Sequence, residues 1–579
     1  MFQLFPAVYI LLASFGAHCS ELKEPNQGVA STAHPLATAA AHEIIDRGGN
    51  AVDAAVAASF VLSVTEPSMS GLGGRAQSIV RSSSGDFFGY NGMTEIPKGF
   101  PRSDKQPCAG YSGDRRPQAT YGGSPEPAPC SGYQSVAAPG MVAMLWEMHQ
   151  DHGVLPFGQL LERAIVYAES GFALLPGEAL RHEFVKDQIK SDPGMTSIYL
   201  HDGENTVAAG QLLLQPALAR TLSKVADGGA NVFYTGDIAR SISSDMAKNS
   251  GFLNLRDLSE YRVLPGRYFS FPYRGHTIHT LAAPAGGGLV SKALTLMDRY
   301  DAGSLSDRQW AVLISQAIGL SIESMDEDYY EEDLTALTSK EWAKVQSAKI
   351  TLPDDPGIDL KVAKSTKLTQ DTDWILNPKA HTSHLVAADC RGYTVSITQT
   401  LGPIFGAKVA TADLGFPYAA TMGGYLRTGR QVPGERPRTS IAPVIVTRDN
   451  EVVLTLGAAG GIRIPSAIVQ TISRFIDQGK DLDVALAAPR VHPSAIIDKE
   501  NNRVVHLSKF EAEMSDPGWT ADDLRYWRAV GFEVKEITDK ASFGRVHAIA
   551  IDNNTLQGRA DPDWEGSASP DKSCLPEPG

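Results

Sequence analysis

Residues 382–400 read Thr382-Ser383-His384-Leu385-Val386-Ala387-Ala388-Asp389-Cys390-Arg391-Gly392-Tyr393-Thr394-Val395-Ser396-Ile397-Thr398-Gln399-Thr400. Thr382 to Ala388 and Tyr393 to Thr400 alternate polar and apolar residues as half-buried strands do. A three-residue loop Cys390-Arg391-Gly392, with Gly392 in the left-handed bulge position, would pair Asp389 with Tyr393. That register sets Thr382 opposite Thr400, and directly opposed side chains lie about 5 Å apart. Taken alone, Thr-Ser-His at the start of a strand is an exposed polar alternation, and His384 reads as a structural histidine.

On the N-terminal side of this hairpin, Ser365 to His381 is polar and predicts a mobile connection. On the other side, Glu451 to Leu456 predicts a strand that runs into Gly457-Ala458-Ala459-Gly460-Gly461, followed by a helix from Pro465 to Gln478. Nearer the start, Leu36 to Arg47 and Ala51 to Val64 predict helices, the first stopped by Gly48-Gly49 and the second largely buried. Gly71-Leu72-Gly73-Gly74 predicts a turn, and Gln77 to Arg81 with Phe87 to Tyr90 a hairpin. Helical patterns dominate Met141 to Phe172, Leu212 to Ala226, Gln309 to Tyr330 and Ser339 to Ala348. The acids Asp326-Glu327-Asp328 and Glu331-Glu332-Asp333 read as a solvated helix face, since no His or Cys lies nearby to make a metal site. Helices mixed with alternating strands place the chain in the α/β (α+β) class.

The chain has 579 residues, of which 42% are hydrophobic and 20% charged, and this excludes a disordered or fibrous protein. Its 66 acidic against 52 basic residues give a net charge of −14, and no Lys/Arg-rich run offers the clustered charge that a phosphate backbone needs. Nucleic acid is excluded as a partner. Residues 1–19 carry an apolar stretch from Ala7 to Ala17, too short to span a bilayer, which reads as a secretory signal or as a buried N-terminal segment. No later run is long enough to span a membrane. The expected location is therefore outside the cell or in the secretory lumen.

In that oxidising setting Cys108 and Cys130, which bracket a Pro/Gly/Ser-rich stretch, are predicted to form a disulfide. Cys390 and Cys574 are too far apart in sequence to pair by argument. Asn553-Asn554-Thr555 is a glycosylation sequon suited to a surface loop. No Walker loop, paired CxxC, HExxH or G-x-S-x-G is present, and the GLGG turn lacks dinucleotide spacing.

Several stretches resemble the γ-glutamyltranspeptidase (glutathione hydrolase) family. They are His34-Pro35-Leu36-Ala37-Thr38-Ala39-Ala40, Gly48-Gly49-Asn50-Ala51-Val52-Asp53-Ala54-Ala55, and Glu66-Pro67 through Gly73-Gly74. Ser135-Val136-Ala137-Ala138-Pro139-Gly140, Phe233-Tyr234-Thr235-Gly236, Ala283-Pro284 through Gly288, Thr382-Ser383-His384 and Gly460-Gly461-Ile462-Arg463 follow in the family's order. The resemblance implies an N-terminal-nucleophile hydrolase with a four-layer αββα sandwich, made as one precursor that cuts itself between His381 and Thr382. Residues 20–381 would become a large chain and 382–579 a small one, held together as a heterodimer.

A threonine hydroxyl is a poor nucleophile until a base takes its proton, and the α-amine freed by such a cut can be that base. The resemblance gives Thr400 the part of fixing the Thr382 hydroxyl, and Gly460-Gly461 that of offering backbone N–H groups to an oxyanion, with no metal or cofactor needed. The implied substrate is a small-molecule or peptide γ-glutamyl or related acyl amide, cleaved through an acyl-enzyme whose acyl group passes to water or an amine.

The donor-binding residues depart from the family. Counted without gaps from Thr382, the family's glutamyl-contacting Asn falls on Gly402 and its amine-binding Asp on Gly424; its carboxylate-binding Arg, four residues before a Pro, corresponds to Met93 before Pro97. Thr439 and Ser440 occupy the places of its paired serines, and Thr421 belongs to the same substrate-binding set. The segment between Tyr425 and Pro437 is short, which implies that the lid of some members is absent. Losing an Arg–carboxylate fork and an Asp–ammonium pair removes about 1.5–3 kcal/mol each, so glutathione is expected to bind weakly unless Arg75, Arg436 or Arg438 substitutes. This opens the alternative of an amidase or acyltransferase of changed specificity, as in a specialised (secondary-metabolite) pathway. A further alternative is a catalytically silent relative that acts by binding.

Overall fold

The computed structural model describes residues 27–101, 132–324, 333–354, 381–422, 432–497 and 503–574. The strands of its two large sheets are, in the N-terminal half, β1 (Gly28–Thr32), β2 (Arg75–Arg81), β3 (Phe87–Gly92), β4 (Leu264–Pro265), β5 (Tyr268–Tyr273) and β6 (His276–Leu281). In the C-terminal half come β7 (Ser383–Asp389), β8 (Thr394–Thr400), β9 (Val444–Arg448), β10 (Glu451–Ala459), β11 (Arg545–Asp552), β12 (Thr555–Ala560), β13 (Ser567–Ala568) and β14 (Lys572–Ser573). The first sheet runs β13-β1-β7-β8-β2-β3-β4 and the second β14-β12-β11-β10-β9-β6-β5.

Helices cover the outer face of each sheet. Against the first lie α1 (Pro35–Asp46), α2 (Ala51–Thr65), α3 (Met141–His152), α4 (Phe157–Ser170) and α5 (Pro216–Tyr234), which share one apolar core with it. Against the second lie α6 (Gly287–Met297), α7 (Asp307–Glu323) and α8 (Arg463–Ile476), around another core. Small apolar clusters such as Val29, Val386, Ala388, Ile549 and Leu556 fill the space between the sheets. The order is helix, sheet, sheet, helix, as the family resemblance implies.

Local chemistry explains the first helices. Asn50 caps α2 through the N–H groups of Val52 and Asp53, while the Asp53 carboxylate accepts from the Asn50 N–H. Every residue of α2 is buried, and its many alanines let the helix sit close on β7 and β8. The pattern from Met141 to Phe172 divides at Gly153–Pro156 into α3 and α4. The pattern from Leu212 begins as a short strand, Leu212–Leu213, and becomes helical only at Pro216, whose fixed φ suits a first helical position. Residues 326–332 of the acidic cluster, the 365–380 connection, Cys108, Cys130 and Gly424 lie outside the described residues, as does most of the 425–437 segment.

The hairpin has the predicted register. Ser383 faces Gln399 and Ala388 faces Thr394. The Asp389 N–H donates to the Tyr393 carbonyl at 3.0 Å, and Gly392 sits at φ +92°. One expectation is corrected: β7 and β8 are buried along their whole length rather than half-exposed. They lie in the middle of the sandwich, so their polar residues must find partners indoors. Ser396 Oγ donates to the Leu456 carbonyl at 3.1 Å, and Gln399 Nε2 to the Ser59 carbonyl at 3.1 Å.

A second correction concerns the cysteines. Cys390 and Cys574 are joined as a disulfide across 184 residues of sequence, with their Cα atoms 5.2 Å apart. The bond ties the β7–β8 turn of one sheet to the end of β14 in the other, a proximity created by the stacking of the sheets. Asn553 and Asn554 form the exposed turn between β11 and β12, both at positive φ.

Candidate active site

Thr382 is 4% exposed and takes φ +111°, a backbone state rare for a β-branched residue. Its Oγ1 donates to Thr400 Oγ1 at 3.1 Å, and Thr400 Oγ1 also accepts the Gly402 N–H at 2.9 Å. The hairpin register thus converts two distant threonines into a bonded pair at the open end of the two central strands.

The carbonyl of Thr382 accepts from Arg545 Nη2 at 2.9 Å. Arg545 lies opposite Ala459 in the β10–β11 pairing, one residue before Gly460. Gly460, at φ +137°, packs so closely on Gly544 that an added Cβ would stand 2.8 Å from the Gly544 Cα. Gly461, at φ +61°, faces open space. Neither glycine donates its N–H to a backbone acceptor among the described residues. Arg545 therefore links the threonine at the start of β7 to the glycine turn at the end of β10.

Beneath Thr382 lies a charged cluster that the sequence did not reveal. Ser383 Oγ donates to Glu66 Oε2 at 2.5 Å, and Glu66 Oε1 is 3.8 Å from Arg545 Nη1 and 3.7 Å from Arg181 Nη2. Arg181 pairs with Glu178 at 2.5 Å, and both guanidinium groups lie over the Trp564 ring, at 4.6 and 4.2 Å. Burial pushes the Glu66 carboxyl up despite Arg545 and Arg181, and it pushes Arg545 down to about 10. Burial also opposes ionisation of Glu178, yet Arg181 and His182 hold its carboxyl well below the usual range. His381, still joined to Thr382 in this chain, is lowered to about 3 by burial and then by the charges of Lys408, Arg545 and Arg181. The only advance signal was Glu66-Pro67 within the family-like opening; Arg181 and Arg545 sit in unremarkable local sequence.

His384 is held by Thr398 Oγ1 at 2.8 Å from its Nδ1, and burial lowers it to about 3. Its ring lies against Gly457, where an added Cβ would be 2.3 Å from Cε1. It is a neutral packing residue.

The residues assigned to substrate binding are scattered over several environments. Thr439 and Ser440 are partly exposed beside the Pro284–Gly286 loop, with the Thr439 N–H donating to the Pro284 carbonyl at 2.7 Å. Gly402, at φ +92°, follows Thr400 directly. Thr421 is buried and donates to Thr94 Oγ1 at 3.0 Å. Met93 is 0% exposed, with its backbone tied to Asn91 and Tyr261. Of the suggested substitutes, Arg436 is buried and engaged by the Asn91 and Arg262 carbonyls and by Glu95. Arg75 is buried in β2 opposite Thr400, and Arg438 has an interaction of its own. Among the described residues no group of three or more His, Cys, Asp or Glu is placed to hold a metal, and no helix is long and apolar enough to cross a membrane.

Known proteins resemble this chain over most of its length. The chain is 28% identical over 567 residues to the glutathione hydrolase proenzyme of Bacillus subtilis (strain 168), covering 93% of this chain and 91% of that one. It is 29% identical over 486 residues to the acylase ACY 1 proenzyme of Pseudomonas sp. (strain V22), covering 80% and 82%. The crystal structure of cephalosporin acylase from Bacillus halodurans superposes with a TM-score of 0.77 at 22% identity, covering 98% of this chain and 99% of that one, and so shares the fold. The profile of the family described as Gamma-glutamyltranspeptidase matches residues 37–571, the span that holds both threonines, the glycine turn and the charged cluster. The chain belongs to the gamma-glutamyltranspeptidase family.

Proposed function

We propose that the protein is a self-processing N-terminal threonine amidohydrolase or acyltransferase, with Thr382 as nucleophile. The observation that carries this reading is the 3.1 Å bond from Thr382 Oγ1 to Thr400 Oγ1 at the mouth of the central strands. In the precursor, Thr382 Oγ1 attacks the His381 carbonyl carbon, the C–N bond breaks and an ester forms, and water then releases residue 381 as a carboxylate. The strained φ of Thr382, a state that costs of order 1–3 kcal/mol, favours this departure.

In the cut enzyme the α-amine of Thr382 takes the hydroxyl proton while Oγ1 attacks a substrate amide. The N–H groups of Gly460 and Gly461 receive the oxyanion, and the leaving amine carries the proton away. Water or a second amine then attacks the acyl-enzyme ester and returns the hydroxyl. Arg545 holds the Thr382 carbonyl and so the orientation of the nucleophile.

The donor is an amide other than a γ-glutamyl one, a reading supported by the buried Met93 and by Gly402, which offers no side chain. The Cys390–Cys574 bond supports passage through an oxidising compartment, and hence secretion. A panel of p-nitroanilides tests the function. Wild type is expected to release p-nitroaniline faster from simple acyl anilides than from the γ-glutamyl anilide, and Thr382→Ala from none. Release by the alanine variant would refute the assignment.

A further inference from the structure

Arg545 reaches the Thr382 carbonyl through Nη2 at 2.9 Å. Its Nε and Nη1 are buried with no hydrogen-bond partner among the described residues, and Nη1 stands 3.8 Å from Glu66 Oε1, too far for a hydrogen bond. A guanidinium held by one hydrogen bond can swing about it. Its plane is supported by the Trp564 ring, whose centroid lies 4.2 Å from the Arg545 Cζ and 4.6 Å from the Arg181 Cζ. Trp564 is 8% exposed, and its own Nε1 is buried with no hydrogen-bond partner among the described residues. A buried N–H left unpaired is a cost, so the polar edge of the indole is not what the site uses. Its face is, because an aromatic face attracts a cation most strongly where both are dry.

The chain fixes this ring on both sides. Before it, the Asp561 N–H donates to the Val546 carbonyl at 2.9 Å, its Oδ2 accepts the Val546 N–H at 3.2 Å, and its carboxylate pairs with Arg490 at 2.7 Å. Val546 is the residue after Arg545. Behind the ring, Glu565 Oε1 accepts the Gly177 N–H at 2.8 Å, on the helix Pro176–Phe184 that carries Arg181. A Cβ added to Gly177 would stand 3.1 Å from Trp564 Cζ2. The segment 561–565 therefore docks on the elements that bear both arginines. A cut before Thr382 removes the tether on that residue's N-terminal side, and a chain end frays unless tied down. The carbonyl bound by Arg545 and the hydroxyl bound to Thr400 then hold the attacking residue itself.

We propose that Trp564 is a positioning residue, whose ring fixes the Arg545 guanidinium and, through it, the orientation of Thr382 for attack. This rests on the reading of Thr382 as nucleophile. Its test uses the full chain of wild type, Trp564→Leu, Trp564→Phe and Thr382→Ala, with valeric p-nitroanilide as the probe and a gel to score self-processing. Trp564→Leu is expected to lose kcat by about 5- to 30-fold, with KM changed less than about twofold, because the ring supports the nucleophile and does not touch substrate. Trp564→Phe keeps an aromatic face and should retain at least about half of the wild-type kcat. A Trp564→Leu chain that stays uncut while Trp564→Phe is cut counts for the proposal in the same way, since self-processing uses the same hydroxyl.

A second measurement leaves the shape of the ring almost untouched. Growth on 5-fluorotryptophan withdraws electron density from the faces of all seven tryptophans. The kcat of wild type should then fall by about twofold, and that of Trp564→Phe should not. A wild-type kcat in Trp564→Leu, a change confined to KM or Tm, a loss that Trp564→Phe shares in full, or a fluorine effect that is absent or equal in Trp564→Phe would overturn this proposal and leave the nucleophile standing. Release of p-nitroaniline by Thr382→Ala, or none by processed wild type, would overturn both.

Discussion

Thr400 has one hydroxyl that accepts from Gly402 and meets Thr382, and valine keeps its shape without it. Thr400→Val is therefore expected to fold and to lose kcat by roughly 5- to 30-fold, the worth of about 1–2 kcal/mol. An unchanged kcat would show that the threonine pair is incidental. Glu66 is a different case, because Ser383, Arg545 and Arg181 all converge on it in a buried place. Glu66→Leu strands the Arg545 guanidinium, while Arg181 keeps Glu178, and should cost about 3–5 kcal/mol in a denaturant titration. At this scale the sequence showed the reacting residues better than their supports. The pairing of Thr382 with Thr400 follows from a loop length and a strand period, and their reacting roles from the family resemblance. Arg181 and Arg545 come from distant segments that only the folded chain brings beside Glu66 and Thr382.

The hairpin β7–β8 was legible because the turn chemistry of Cys390-Arg391-Gly392 selects one register, and a slip of one residue would turn every side chain to the other face. Its complete burial was not legible, since alternation records polar residues without saying that another sheet will satisfy them. The close contact of the sheets makes a prediction for β10: Gly457→Ala drives a methyl into the His384 ring and should cost about 1–3 kcal/mol, read as a fall in Tm. A Tm equal to wild type would mean that the sheets have slack there. The disulfide also belongs to this scale. Cys390 and Cys574 both lie after Thr382, so a cut before Thr382 would leave the bond within the C-terminal fragment. Separation of the two chains on a denaturing gel without reductant is expected, and a single full-length band that splits only on reduction would contradict it.

Across the whole molecule, the order of layers came from the family resemblance, since periodicity does not say which sheet stacks on which. The sandwich buries several histidines as neutral rings: His384 and His492 are lowered to about 3 and His547 well below its ordinary value, all chiefly by burial. A histidine with a depressed folded value contributes fully above about 6.5 and loses that contribution as pH falls toward the folded value. Tm is therefore expected to decline from pH 6.5 toward pH 3, and a flat profile would show that these rings are solvated. The central claim, that Thr382 becomes a free N-terminus and then attacks amides, is tested most directly by a denaturing gel with N-terminal sequencing of wild type and Thr382→Ala. The account predicts that the 62.0 kDa chain gives fragments of roughly 40 and 20 kDa, the smaller beginning Thr-Ser-His-Leu, and that Thr382→Ala stays whole and inactive. An active wild type that remains one uncut chain would contradict it.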